Sequence, residues 1–130
     1  SIAREIVDSA KANRSGVKVA VLRGVRMPDI VKGIAFAVRA ISPEATAFIA
    51  ATVDPSGKPL LTVMLTDDVV ASGLNASAIV REAAKNIKGG GGGQPGFAQA
   101  GGKYSEGFRL YAEFFGLISL KSKKDMADLS

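Results

Sequence analysis

The sequence predicts an α/β domain with a mixed central β-sheet flanked by helices. Two observations carry this. Helical and strand periodicities alternate in the order helix, strand, helix, hairpin, helix, strand, the pattern of a sheet packed between helices. Two apolar runs, 45–53 and 59–65, also flank Asp54-Pro55-Ser56-Gly57-Lys58, where proline presets a turn and glycine admits positive φ. These runs are expected to be antiparallel neighbours in the middle of the sheet. At 130 residues the chain suits one domain around one core.

Taken in order, Ile2, Ile6, Val7 and Ala10 recur at helical spacing, so an amphipathic helix is expected over 2–12, ended by Asn13, Ser15 and Gly16. Residues 17–23 alternate and are valine-rich, which reads as a strand. Pro28 suits a first helical turn, where its missing N–H costs nothing. Ile30, Val31, Ile34, Ala35 and Val38 mark the apolar stripe of that helix, which ends before Pro43. After the hairpin, Thr66-Asp67-Asp68 can cap a short helix that Gly73 closes. Asn75 can cap the next helix, whose stripe is Ile79, Val80, Ala83, Ala84 and Ile87, with Lys85 and Lys88 in its last turn. A short apolar strand, Phe97 to Ala100, follows a run of glycines. A final helix from about Ser105 would place Phe108, Tyr111, Phe115 and Ile118 on one face.

Composition narrows the function. There is no Cys, so disulfides and thiolate chemistry are excluded. There is also no His. The usual zinc ligands and the commonest neutral-pH general base are therefore missing, and no catalytic residue or metal site is assigned. Asp67 and Asp68 are read as acids at a helix start rather than as metal ligands. No apolar run is long enough to span a bilayer. No basic-then-apolar leader is present, so a cytoplasmic location is expected. The chain begins at Ser1 and is read as a piece of a longer protein. Its net charge is +5, which favours phosphate backbones or anionic membranes as partners and is equally compatible with mere solubility. The positive charge concentrates in two groups. One comprises Arg4, Lys11, Arg14, Lys18, Arg23 and Arg26; the other comprises Arg81, Lys85, Lys88 and Lys103. They form a phosphate-tracking patch only if they share a face.

The most informative segment runs from Gly89 through Gly90, Gly91, Gly92 and Gly93 to Gln94-Pro95-Gly96-Phe97-Ala98-Gln99-Ala100, then Gly101-Gly102-Lys103. Backbone without side chains can approach a ligand closely, and successive N–H groups in a loop can cup a phosphate oxygen. Lys85, Lys88 and Lys103 bracket the glycines and can add charge. A flexible linker is disfavoured, because a well-formed helix precedes the run and a buried strand follows it. A purely structural role, in which the glycines are needed for packing, stays open. No Gly-Lys-Ser/Thr follows, so this is not a P-loop, and the run follows a helix rather than the strand of a dinucleotide fingerprint.

The stretch GGGGGQPGFAQAGGK resembles the glycine-rich signature of the DHH-associated domain, in the form found at the C-terminus of alanyl-tRNA synthetases. The preceding TVMLTDDVVASGLNASAIVREAAKNIK resembles the strand and two helices that lead into that signature, and the likeness runs from about Val17 to Gly107. Related DHH-superfamily phosphoesterases usually carry His directly after the glycines. Gln94-Pro95 stands there in this chain, which points to the synthetase branch. The tail from Tyr104 departs from the short, charged, Ala/Leu-rich helix of the family, being richer in aromatics.

The resemblance implies three pieces: residues 1–14 as the end of a preceding helical segment, 15–107 as the DHH-associated nucleic-acid-binding domain, and 108–130 as a C-terminal helix and tail. It implies a parent enzyme that joins alanine to tRNA with ATP and Mg²⁺ in an N-terminal domain. It also implies a zinc-bearing editing domain and a dimerising helical part. The present piece would catalyse nothing, need no cofactor, and contact the tRNA elbow by shape, stacking and phosphate contact. By this likeness Gly89 to Gly93, Gln94, Gln99, Gly101, Gly102 and Lys103 would form or support the nucleic-acid surface, and Lys85 and Lys88 join them by their charge and position. Two alternatives stay open: the substrate-binding half of a DHH-type phosphoesterase, and a structural or dimerisation module.

Overall fold

The computed structural model describes residues 1–85 and 89–102. The elements are α1 (Ile2–Ser9), β1 (Lys11–Ala12), β2 (Lys18–Val25), α2 (Pro28–Ile41), β3 (Thr46–Val53), β4 (Pro59–Leu65), α3 (Asp67–Ala71), α4 (Ala76–Ala84), β5 (Gly90–Gln94) and β6 (Phe97–Gly101). The strands form one mixed sheet in the order β1-β2-β3-β4-β6-β5. Only β2 and β3 pair in parallel, joined through α2; the other neighbours are antiparallel. The expected α/β class and the central antiparallel pair β3–β4 are what the chain forms. The expected final helix lies outside the described residues.

Alternation along the strands divides the core between the two faces of the sheet. Phe48, Ala50 and Met64 face one way and pack with Ala20, Leu22 and the α2 stripe Val31, Ile34, Ala35 and Val38, joined by Ala3 of α1. Ala47, Ile49, Leu61, Val63 and Leu65 face the other way, against Val69 of α3 and Ala76, Val80, Ala83 and Ala84 of α4. Ala98 and Ala100 of β6 join this second layer. The central strands β3 and β4 are buried on both faces, which explains their unbroken apolar runs.

One boundary and one cap differ from the sequence reading. The first helix stops at Ser9 because Ala10 turns extended, and Lys11 and Ala12 pair with Val19 and Lys18. Asn13 therefore closes a hairpin, its Oδ1 accepting from the Ser15 and Val17 N–H groups, with Gly16 at φ +80°. Asn75 caps α4 as expected, accepting from Ala78 N at 3.0 Å. Thr66 occupies the N-cap of α3, but its side chain is turned sideways. It accepts from Thr46 N and donates to the Asp68 carboxylate. That carboxylate also accepts from Ala45 N, where the chain takes a left-handed φ of 49°.

These bonds hold Asp68 below its ordinary value of 3.8, the Thr66 hydroxyl first among the causes. A carboxylate with a lowered folded pKa stabilises the fold above its unfolded pKa, and that contribution disappears as pH falls through the folded value. The expected outcome is that Asp68→Asn melts below wild type at neutral pH, and that the gap closes as pH drops from about 5 towards 3. Thermal melts at several pH values check this; a gap constant with pH would contradict it.

Candidate nucleic-acid interface

Glycine has the weakest claim to a strand, yet Gly90 to Gly93 and Gln94 form β5, the edge of the sheet. The expectation of a glycine loop cupping an anion with successive N–H groups is thereby corrected. In an antiparallel ladder neighbouring residues point their N–H groups in opposite directions, so consecutive ones cannot converge on one oxygen. What makes the strand is its partner: β6 pairs it residue for residue from Gly90↔Gly101 to Gln94↔Phe97 across the two-residue turn Pro95-Gly96.

That turn is pinned from three elements. Ala76 N at the start of α4 donates to Pro95 O at 2.8 Å, and Leu65 N donates to Gly96 O at 2.9 Å. Arg39 reaches across from α2, its Nη2 donating to Gly96 O at 2.9 Å and lying 3.4 Å from Leu65 O. The start of the run is held too, Gly89 N donating to Ala84 O at 3.0 Å.

The glycines are not equivalent. A Cβ on Gly91 would lie 2.6 Å from Ala100 Cα and closer still to the Gln99 carbonyl oxygen. One on Gly93, where φ is +157°, would lie 2.5 Å from Phe97 O, and one on Gly89 would meet the Gly101 backbone. These odd-numbered positions are glycine because β5 is rolled against the β6 backbone. Gly90 is different: among the described residues a Cβ there would meet nothing within 4 Å. At Gly92 it would meet only Ser77 Oγ at 3.4 Å and Arg81 Nε at 3.7 Å.

Charge stands on both sides of the hairpin. On the α4 side Arg81 lies beside Gly92, its Nη2 donating to the buried Ser77 hydroxyl at 2.5 Å. On the α2 side Lys32 and Arg39 flank Phe36, whose ring packs on Phe97 with centroids 5.1 Å apart. The sequence reading passed over Lys32, Phe36, Arg39 and Phe97 as a group. The only available signal was the helical spacing of Lys32, Phe36 and Arg39, which says nothing about meeting the hairpin.

The remaining expected residues divide. Lys85 is exposed at the end of α4 and pairs with Glu82 at 3.0 Å, so its charge is partly spent locally. Lys88 and Lys103 lie outside the described residues. Gln99 is half-buried and donates from Nε2 to Thr62 Oγ1 at 3.0 Å, which fixes its amide on the sheet. Gly102 N donates to Pro59 O, and Gly101 has room for a Cβ. Gln94 is exposed. Of the first basic group, Arg23 and Arg26 sit on or just after β2, separated from the hairpin by β3 and β4, so the two groups do not merge at β5. Among the described residues no three His, Cys, Asp or Glu gather as a metal site, and no helix is long and apolar enough to cross a membrane.

Comparison with known proteins places this geometry in a family. A DHHA1 domain model matches residues 14–115. The chain is 43% identical over 124 residues to the alanine–tRNA ligase of Bacteroides fragilis, covering 85% of the chain and 14% of that protein. It is 49% identical over 98 residues to that of Bacteroides thetaiotaomicron, covering 75% of the chain and 11% of that protein. The chain thus spans about a seventh or less of the relatives it matches. Its fold is similar to the C-Ala domain of Aquifex aeolicus alanyl-tRNA synthetase, with a TM-score of 0.63 at 22% identity, covering 78% of this chain and 90% of that one. A DHH domain from the S1P family of ribosomal proteins is similar at a TM-score of 0.51 and 13% identity, covering 88% of this chain and 29% of that one.

Proposed function

Because this chain belongs to the DHHA1 domain family, we propose that it is the C-terminal, tRNA-binding module of an alanine–tRNA ligase. It contacts the tRNA elbow through the open side of the β5–β6 hairpin and performs no chemistry itself. The ligase reaction with its ATP and Mg²⁺, and the zinc-bearing editing domain, belong to the rest of the parent protein. Identity to alanine–tRNA ligases above 40% over most of the chain supports this parentage. The observation that carries the binding role is Gly90. It is exposed, and among the described residues nothing stands where a side chain would be and no packing demands glycine there. Bare backbone at such a position lets a sugar–phosphate chain come close. Arg81 on one side and Lys32 and Arg39 on the other supply the positive field.

The packing of Gly89, Gly91 and Gly93 favours the structural reading for those three positions. Gly90 therefore separates the two readings. Gly90→Asp should leave the melting temperature close to wild type and weaken tRNA binding by about tenfold, since an added carboxylate opposes phosphate at close range. Wild-type affinity, followed by fluorescence anisotropy with a tRNA transcript, should fall with salt at a log–log slope of about −2 to −3, as expected for three phosphate contacts. Absence of any mobility or anisotropy change at low salt with excess protein would end the binding proposal. Unchanged affinity in Gly90→Asp would remove β5 from the interface.

A further inference from the structure

We infer that Phe36 is a stacking platform for an exposed base of the bound RNA, with Lys32 and Arg39 as its flanking cations. The inference rests on the RNA-binding reading and adds a recognition element to it. The sequence builds α2 so that Val31, Ile34, Ala35 and Val38 bury into the sheet. Phe36 is outside that stripe and is 42% exposed, although the helix already has its core face. Its ring is not loose, because Phe97 of β6 braces it at 5.1 Å with the two planes tilted by 33°. Lys32 Nζ stands 5.9 Å from the Phe36 centroid and 6.0 Å from that of Phe97. The Arg39 guanidinium lies 5.9 Å from the Phe36 centroid on its own tether to Gly96.

The chemistry of this cluster selects its partner. An apolar peptide would have to desolvate two cations. A base offers a flat face to the ring and brings its own phosphates to the cations. Lys32 makes no ion pair among the described residues, and its ammonium stands over both rings. Phe97 pairs in register with Gln94, which makes the platform continuous with the hairpin. RNA whose bases are unstacked at a loop or corner presents the required surface.

The test compares a short single-stranded oligoribonucleotide with the same backbone made abasic, each titrated into the full chain, alongside the tRNA titration. Wild type should prefer the base-bearing strand by roughly tenfold, within the range of one aromatic–base stack. Phe36→Leu keeps apolar packing on Phe97 and should lose that preference, while Phe36→Tyr should keep it. Lys32→Gln should weaken both strands alike and flatten the salt slope. Equal binding of the two strands by wild type, or full preference retained in a folded Phe36→Leu protein, would overturn the platform while leaving tRNA binding intact. Failure of wild type to bind tRNA at all would instead bring down the RNA reading, and the platform with it.

Discussion

Gly91→Ala is expected to destabilise the protein by about 2–3 kcal/mol, the usual cost of forcing a side chain into a conformation the surroundings forbid. The added Cβ would sit 2.6 Å from Ala100 Cα, against backbone that belongs to β6 and has little room to retreat. Ala98 and Ala100 on that strand are buried in the layer beneath α4. Relief therefore comes from β5, which lies at the sheet edge and can swing away at the expense of its pairing with β6. That escape limits the loss to the hairpin's own contribution. Gly90→Ala, one residue earlier, meets open space and should stay within about 0.5 kcal/mol of wild type. Urea unfolding of the two variants decides the matter. Equal stability would mean that β5 does not lie against β6 as described.

Arg39→Met is expected to cost about 2 kcal/mol, as charge-assisted hydrogen bonds in partly buried positions do. The guanidinium ties the middle of α2 to Gly96 O at 2.9 Å, joining one helical layer to the tip of the edge hairpin. Methionine keeps much of the aliphatic stem and its packing but removes every donor, so the loss isolates the polar tie. Gly96 O still accepts from Leu65 N, which keeps the turn formed and moderates the effect. Amide exchange adds a local readout: protection should fall at Phe97 and its ladder neighbours more than in β3. A variant with wild-type stability and unchanged exchange would show that Arg39 is incidental to the hairpin.

The two expectations read the molecule at different ranges. The Gly91 clash lies between partners one hairpin apart, whereas Arg39 acts between α2 and a turn far along the chain. Arg39 acts at Pro95-Gly96, where Ala76 of α4 also donates. The tip of the hairpin is thus held by elements on both faces of the sheet.

Local chemistry alone determined much of this protein. Proline at position 28, the Asn75 cap, the 54–58 turn and the two apolar runs around it specify their elements because each acts over a few residues. The signature ending GQPGFAQAGGK likewise pointed to family and parentage from the sequence alone. Tertiary structure alone decided that the glycines are a strand. They carry no side chains to declare a face, so their conformation comes from the β6 ladder and the roll of β5 against it. It also decided that Lys85 is paired, that Gln99 is held by Thr62, and that Lys32, Phe36 and Arg39 meet Phe97. Periodicity tells which side of a helix a residue occupies. What lies opposite depends on how helices pack over a sheet whose strands are not ordered as in the chain.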